Sequence, residues 1–156
     1  MKSFMLPTLE LVRPSVRTGF LLSALIIVAY LTGISAMAAP FSATCALLAI
    51  LPKASFSAPK TLLWSHFICV GIGVVFLSLP LPSLVLVALS AWVSITLMVS
   101  LRVVHAPAVA HAVILSLGTQ SVQNYAVCAM VTALGFAIFS HVSLMHYKPA
   151  VSGIHQ

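Results

Sequence analysis

Four stretches of the chain stay predominantly apolar for about 19 to 22 residues each, at residues 18–36, 61–79, 83–101 and 124–145. At about 1.5 Å per helical residue, each can cross a hydrocarbon core of roughly 30 Å, so four transmembrane helices are predicted. Two further apolar stretches, at about residues 41–51 and 108–118, follow Pro40 and Pro107. Eleven or so helical residues rise only about 17 Å, too little to cross. Proline at the start of a helix gives up an N–H that has no partner there and holds a helix-compatible φ, so both stretches read as short helices that begin at proline.

The short stretches also match each other in register. Pro40 corresponds to Pro107, Ala43 to Ala110, Thr44 to His111 and Leu48 to Leu115, at a constant offset of 67 residues. The spans that precede them keep nearly the same separation. The expected fold is therefore an all-α membrane protein, a single transmembrane domain over residues 1–156. Its four transmembrane helices and two short re-entrant half-helices would be arranged as two span/half-helix/span repeats. Two other arrangements stay open: the short segments could lie at the interface, or could cross with help from flanking residues and give six crossings in two inverted halves.

Composition agrees with the pattern. Hydrophobic residues make up 62% of the 156 and charged residues 5%, where soluble domains carry about 25% charged. The mean hydropathy is +1.19. Lys2, Arg13 and Arg17 precede the first apolar run, as in a secretory signal, but that run is longer than a usual signal core and has a counterpart later in the chain, so it reads as a span. Four spans enclose little volume alone, and a homo-oligomer is expected.

Seven Lys and Arg stand against a single acid, Glu10, and the basic residues are scattered singly. That scatter excludes a nucleic-acid footprint. Paths for cations or coupled protons commonly use Asp or Glu, and here the spans hold neither. The polar groups near the two short segments are Lys53, Lys60, His66, Arg102, His105 and His111, all neutral or positive. If the half-helices dip from one face, their positive ends converge inside the protein, a field that attracts an anion. Lys53 and Lys60 read equally well as loop charges, and His66 as a hydrogen-bonded packing residue. Arg102, three residues before His105, reads as functional rather than snorkelling. Lys2, Arg13, Arg17 and Lys148 on one side against Lys53, Lys60 and Arg102 on the other favour cytoplasmic termini.

Metal and cofactor chemistry find little support. His66 and Cys69 share a helix face at i, i+3, but two residues make no site, His105 and His111 are six apart, and no carboxylate is at hand to orient a ligating imidazole. No metal and no cofactor are expected. Cys45, Cys69 and Cys128 lack paired spacing and read as packing residues. Ser65, Cys69 and Gly73, and Ala129, Ala133 and Ala137, form small-residue stripes that let helices approach closely. Trp64 and Tyr125 read as interfacial anchors. His141 and His146 fall near the far end of the last span and are left out of the site.

Three segments, A-P-F-S-A-T-C-A-L-L, S-A-P-K-T-L-L-W-S-H and R-V-V-H-A-P-A-V-A-H-A, in this order and spacing, resemble the HPP family of small four-span membrane proteins. The resemblance covers nearly the whole chain. The family's His-Pro-Pro motif corresponds to His105, Ala106 and Pro107. Its G-x-F-G-A-[ST] segment is matched by Pro40, Phe41, Ala43 and Thr44, its Q-P-R-N segment by Pro59 and Lys60, and its following G-G-H by His66. Ala106 replaces the middle proline, Ser42 a glycine and Val109 a glycine, and His111 stands where a small residue is usual.

The resemblance implies transport of nitrite or a related small anion, and the chain is expected to be a multi-pass protein of the bacterial inner membrane and not an enzyme. From the half-helix ends and the polar residues near them, the expected substrate-binding residues are His105, Arg102, Lys60, His66, Pro107, Ala43, Thr44 and His111; the departures from the motif bear on which anion is taken. A non-transporting membrane scaffold is the alternative, and an intramembrane enzyme built on His105 or a cysteine fits least, because no recognisable dyad accompanies them.

Overall fold

A computed structural model describes residues 8–145, so Lys2, His146 and Lys148 lie outside the described residues. The described chain is helical, with no strand. Its α-helices are α1 (Thr8–Thr32), α2 (Ala38–Ile50), α3 (Pro59–Leu77), α4 (Ser83–Ser100), α5 (Val109–Ser116) and α6 (Val122–Met145), with 3-10 turns at Ser35–Met37, Ser55–Ser57 and Ala106–Ala108. Four of the helices are long and apolar enough to cross a membrane: α3, α4, α6 and the part of α1 from Pro14 to Thr32. The two shorter apolar pieces, Ser35–Ile50 and Ala106–Ser116, follow α1 and α4.

The boundaries differ from the sequence expectation where backbone chemistry outweighs apolarity. Helix α1 starts at Thr8 and runs through Pro14, giving up the one backbone hydrogen bond that proline cannot donate. It stops at Thr32, short of residue 36, because Gly33 takes a φ of 70° and turns the chain out of the helix. Neither short helix begins at its proline. Pro40 is the third residue of α2, and Pro107 sits in the 3-10 turn ahead of α5. Proline is still tolerated at Pro40, since the first four N–H groups of a helix have no intrahelical partner.

Helix α3 is the centre of the assembly. It packs against α4, α5 and α6 and meets the two 3-10 turns at Ser55–Ser57 and Ala106–Ala108. It is also the most enclosed of the four spans, with 44% of its apolar 18-residue stretch buried against 11% for that of α1, which packs on α2. Its small-residue stripe explains this. Ser65, Cys69 and Gly73 are all buried, and a Cβ placed on Gly73 would come within 2.6 Å of Leu115 Cβ and 3.0 Å of the Ala112 backbone. The stripe of α6, Ala129, Ala133 and Ala137, is likewise buried within the chain. Two apolar clusters result, one joining α1, α2, α3, α5 and α6, the other joining α3, α4 and α5.

Helix α4 ends in a way that bears on the site. The Val103 N–H bonds to the Met98 carbonyl at 2.9 Å and the Arg102 N–H to the Val99 carbonyl at 3.1 Å, with Arg102 at a φ of 56°. This is the Schellman arrangement, completed by the buried contact pair Val103 and Met98. Glycine usually fills the left-handed position. An arginine there accepts roughly 1 kcal/mol of backbone strain.

The packing at Gly73 gives a direct test. Gly73→Ala is expected to destabilise the protein by about 1–3 kcal/mol through overpacking against α5, read as a lower unfolding temperature in detergent. Gly71→Ala, on the open side of the same helix with nothing within 4 Å of the added atom, is expected not to lower it.

Candidate functional site

The beginnings of the two short helices meet. Helix α2 packs against the Ala106–Ala108 turn and against α5, and three histidines gather at this junction, each fully buried: His66 from the second turn of α3, His105 just ahead of the turn, and His111 from the first turn of α5. The His66 ring centroid lies 4.9 Å from that of His111 and 5.4 Å from that of His105. Phe41 of α2 forms one wall, stacked on His66 at 4.8 Å and 5.0 Å from His111.

The hydrogen bonds divide the three rings into different classes. His105 is held at both nitrogens, Nδ1 to the Phe56 carbonyl at 2.8 Å and Nε2 to Thr44 Oγ1 at 2.9 Å. His111 Nδ1 is 2.8 Å from the Tyr125 hydroxyl. Tyr125 is itself fully buried, and this is the one partner its hydroxyl has among the described residues. The phenol proton is therefore satisfied only if Tyr125 donates, which makes Nδ1 the acceptor and leaves His111 Nε2 carrying a hydrogen. That Nε2 has no protein partner. Neither does either ring nitrogen of His66.

Such groups stand out energetically. Leaving a buried polar atom unpaired costs on the order of 1–3 kcal/mol, and most buried polar side chains in folded proteins are paired. A packing histidine would have acquired partners, as His105 has. Three such nitrogens fall on these two touching rings; elsewhere among the described residues the buried side-chain atoms without a partner are the hydroxyls of Ser57, Ser94, Thr132 and Ser143.

The basic residues behave differently. Arg102, Lys60 and Lys53 are exposed, so the full positive charges lie outside the cluster. Ala43 is exposed as well, on the face of α2 turned away from Thr44, and Pro107 is half-buried beside His105. Of the eight residues expected at the site, the structure brings His66, His105, His111 and Thr44 together and leaves Arg102, Lys60 and Ala43 at the surface. The short helices also present fewer bare amides than proline-started helices would. The 3-10 turns absorb early N–H groups in bonds such as Met37 to the Ile34 carbonyl at 3.2 Å and Ala108 to the His105 carbonyl at 3.0 Å.

Sequence reasoning missed two contributors. Tyr125, expected as an interfacial anchor, lies in the first turn of α6 and is buried against His111. Its signal was a phenol in an apolar helix, which needs a partner whenever it is buried. The Phe56 carbonyl has no signal in side-chain chemistry at all. Among the described residues, no three His, Cys, Asp or Glu side chains are placed as a metal ion would require. Cys69, one turn beyond His66, makes its contact with Met98 sulfur at 3.9 Å.

The family model described as HPP, transmembrane region, matches residues 6–150. No curated protein and no solved structure matches the chain.

Tyr125→Phe removes the donor to His111 while keeping the ring. It is expected to destabilise the protein by about 1–3 kcal/mol, measured by thermal unfolding in detergent, and to change the nitrogen chemical shifts of His111 because Nδ1 loses its donor.

Proposed function

The chain belongs to the HPP transmembrane family, and on that footing we propose that it carries a small monovalent anion across the membrane, nitrite or a related oxyanion, by way of the histidine cluster. The observation that carries this reading is His66, fully buried in a membrane helix with both ring nitrogens unpartnered. Its ring, which when neutral carries one N–H donor and one acceptor nitrogen, adjoins the ring of His111 with its free Nε2–H. The chain's sole acid, Glu10, precedes the first span. A group that accepts hydrogen bonds and carries negative charge is the complement of such a site, and the positive ends of α2 and α5 face the same junction.

In this reading α2 and α5 are half-helices, and the segment of α4 and its cap delivers the anion. Arg102 and Lys60, exposed near the loops that lead to His105 and His66, raise the local anion concentration as vestibule charges. The strained φ of Arg102 supports a role, since glycine would fit that cap better and strain of this kind is often kept for function. Assembly into a homo-oligomer belongs to the same proposal, because four spans form a thin shell around the cluster.

Purified protein in proteoliposomes is expected to take up nitrite, nitrate or formate saturably. His66→Leu should abolish uptake without loss of stability, since it replaces unpaired buried polar atoms by an apolar side chain of similar size. Arg102→Gly should raise stability by roughly 1 kcal/mol by relieving the left-handed arginine. The same variant should weaken apparent affinity a few-fold while leaving the maximal rate, as loss of a steering charge does. Absence of uptake of all three anions by folded, inserted protein would move the assignment to a membrane scaffold.

A further inference from the structure

The two short helices leave the histidine cluster in opposite directions. On α5, His111 meets His66, and Ala112 and Leu115 meet Gly73. Gly118, just past α5, meets Leu77, the last residue of α3. Partner numbers rise together, so α5 runs parallel to α3, toward the side where α3 ends. On α2, Phe41 meets His66, and Thr44, one turn on, meets His105, which is held to the Phe56 carbonyl. Phe56 lies in the turn ahead of α3, so α2 runs toward the side where α3 begins.

The long helices show what this requires of the chain. Helix α4 is antiparallel to α3, which it follows after the short connection at residues 78–82. Helix α6 is antiparallel to α3 as well. It begins at Val122, shortly after Gly118 at the end of α3, and near its other end the Ser140 hydroxyl donates to the Ser57 carbonyl ahead of α3 at 2.6 Å. Spans α4 and α6 therefore point the same way. A chain that leaves one span and enters the next in the same direction must return across the membrane between them.

The segment between them is long enough. Eight residues of α5 rise about 12 Å, the three of the turn about 6 Å, and the extended residues 103–105 up to about 10 Å. Together they reach roughly 28 Å, close to the thickness of the hydrocarbon core. Residues 33–50 reach at least as far, since the thirteen residues of α2 follow a turn of three.

We propose that segments 33–58 and 101–121 each cross the membrane, in opposite directions, so that the chain is two inverted units of three passes and the histidine cluster is a mid-membrane site closed toward each face by a different half-helix. This rests on the anion reading above and replaces the re-entrant path expected from the sequence. The register that pairs α2 with α5 pairs α1 with α4 and α3 with α6 by chain order. The antiparallel α3 and α6 are what an inverted repeat requires. Inversion sets α1 against α4 and so parallel to α3, and segment 33–58 must then cross in its turn.

With all three histidines fully buried, the cluster is open to neither face. Toward the end of α3 the way is shut where Leu115 and Ala112 press on Gly73. Beyond that contact lie the buried hydroxyls of Ser90 and Ser116, 3.4 Å apart. Toward the beginning of α3 it is shut by Thr44 and His105 bonded to each other and to the Phe56 carbonyl. An anion leaves by movement of one half-helix at a time, which makes the protein a carrier rather than a channel.

Cysteine pairs read the path whatever the orientation of the protein in a vesicle. In a chain with Cys45, Cys69 and Cys128 replaced by alanine, Ser35→Cys with Ser55→Cys forms one pair and Val104→Cys with Thr119→Cys the other, all at exposed positions. Sealed proteoliposomes are treated with a membrane-impermeant maleimide, and intact mass counts the labels. Crossing segments place the members of each pair on opposite faces, so every molecule should carry one label, and two once detergent opens the vesicle. Re-entrant segments would place both members on one face and give two labels or none, which would overturn the proposal and leave the anion site standing. If the alanine background does not fold, the native cysteines stay and unsubstituted protein supplies the baseline count. Preloading with unlabelled nitrite should speed the entry of isotopically labelled nitrite several-fold; entry unaffected by preloading would overturn the carrier. One label per molecule with no uptake of any anion would uphold the crossing and remove the anion reading.

Discussion

The close approach of α3 to α5 at Gly73 is the constraint on which the remaining structure turns. With no side chain at that position, the backbone of Ala112 and the Cβ of Leu115 lie where a Cβ would stand. That contact fixes the distance and rotation of two helices, each of which carries a histidine one or two turns away. His66 lies seven residues before Gly73 on α3, and His111 adjoins Ala112 on α5. Their rings come within 4.9 Å of each other because the helices below them cannot separate. In lipid, helices gain no hydrophobic advantage from pairing, so such small-residue contacts supply the packing that places polar groups.

Around this contact the polar groups divide by what they can satisfy. Ser140 of α6 bonds to the Ser57 carbonyl at 2.6 Å and ties α6 to the turn that precedes α3. Ser90 of α4 lies 3.4 Å from Ser116 of α5. These pairs hold elements together. At the meeting point of α2 and α5 the accounting is incomplete: His66 and His111 retain unpaired nitrogens, while both nitrogens of His105 are bonded. A membrane interior offers no bulk water to repair such shortfalls. Polarity left open in that setting costs stability, which is why it is informative about ligand chemistry where a satisfied serine pair is not.

Arg102 illustrates how charge and backbone are linked. The same residue ends α4 in a left-handed conformation and sends the chain toward His105. Its side chain is outside, while the imidazoles are inside. In the proposed anion reading, long-range attraction and short-range recognition fall to different residues: exposed guanidinium and ammonium groups would act through field, and buried imidazoles through hydrogen bonds. A full charge placed in the cluster itself would carry a large desolvation penalty.

Much of this protein was legible in its sequence, and the reason is the bilayer. Hydrophobic thickness sets the length of a span, so four runs of about 19 to 22 residues located the crossing helices within a few residues, and 62% apolar composition left no competing class. The short length of the segments after Pro40 and Pro107 was likewise visible, as was the identity of His66, His105, His111 and Thr44 as polar residues beside them. Helix ends were less legible: Gly33 stopped α1 early and the 3-10 turns moved both prolines off the first helical position, because capping depends on local φ and not on apolarity. What only the tertiary structure decided was which polar groups face each other. Lys60 and Arg102 carry the strongest charges near the site yet lie outside it, Tyr125 turned from a supposed interface residue into the partner of His111, and the Phe56 carbonyl has no mark in the sequence. Hydropathy is a property of each segment alone, whereas the pairing of hydrogen-bond donors and acceptors depends on the rotation and separation of helices that only their mutual packing sets.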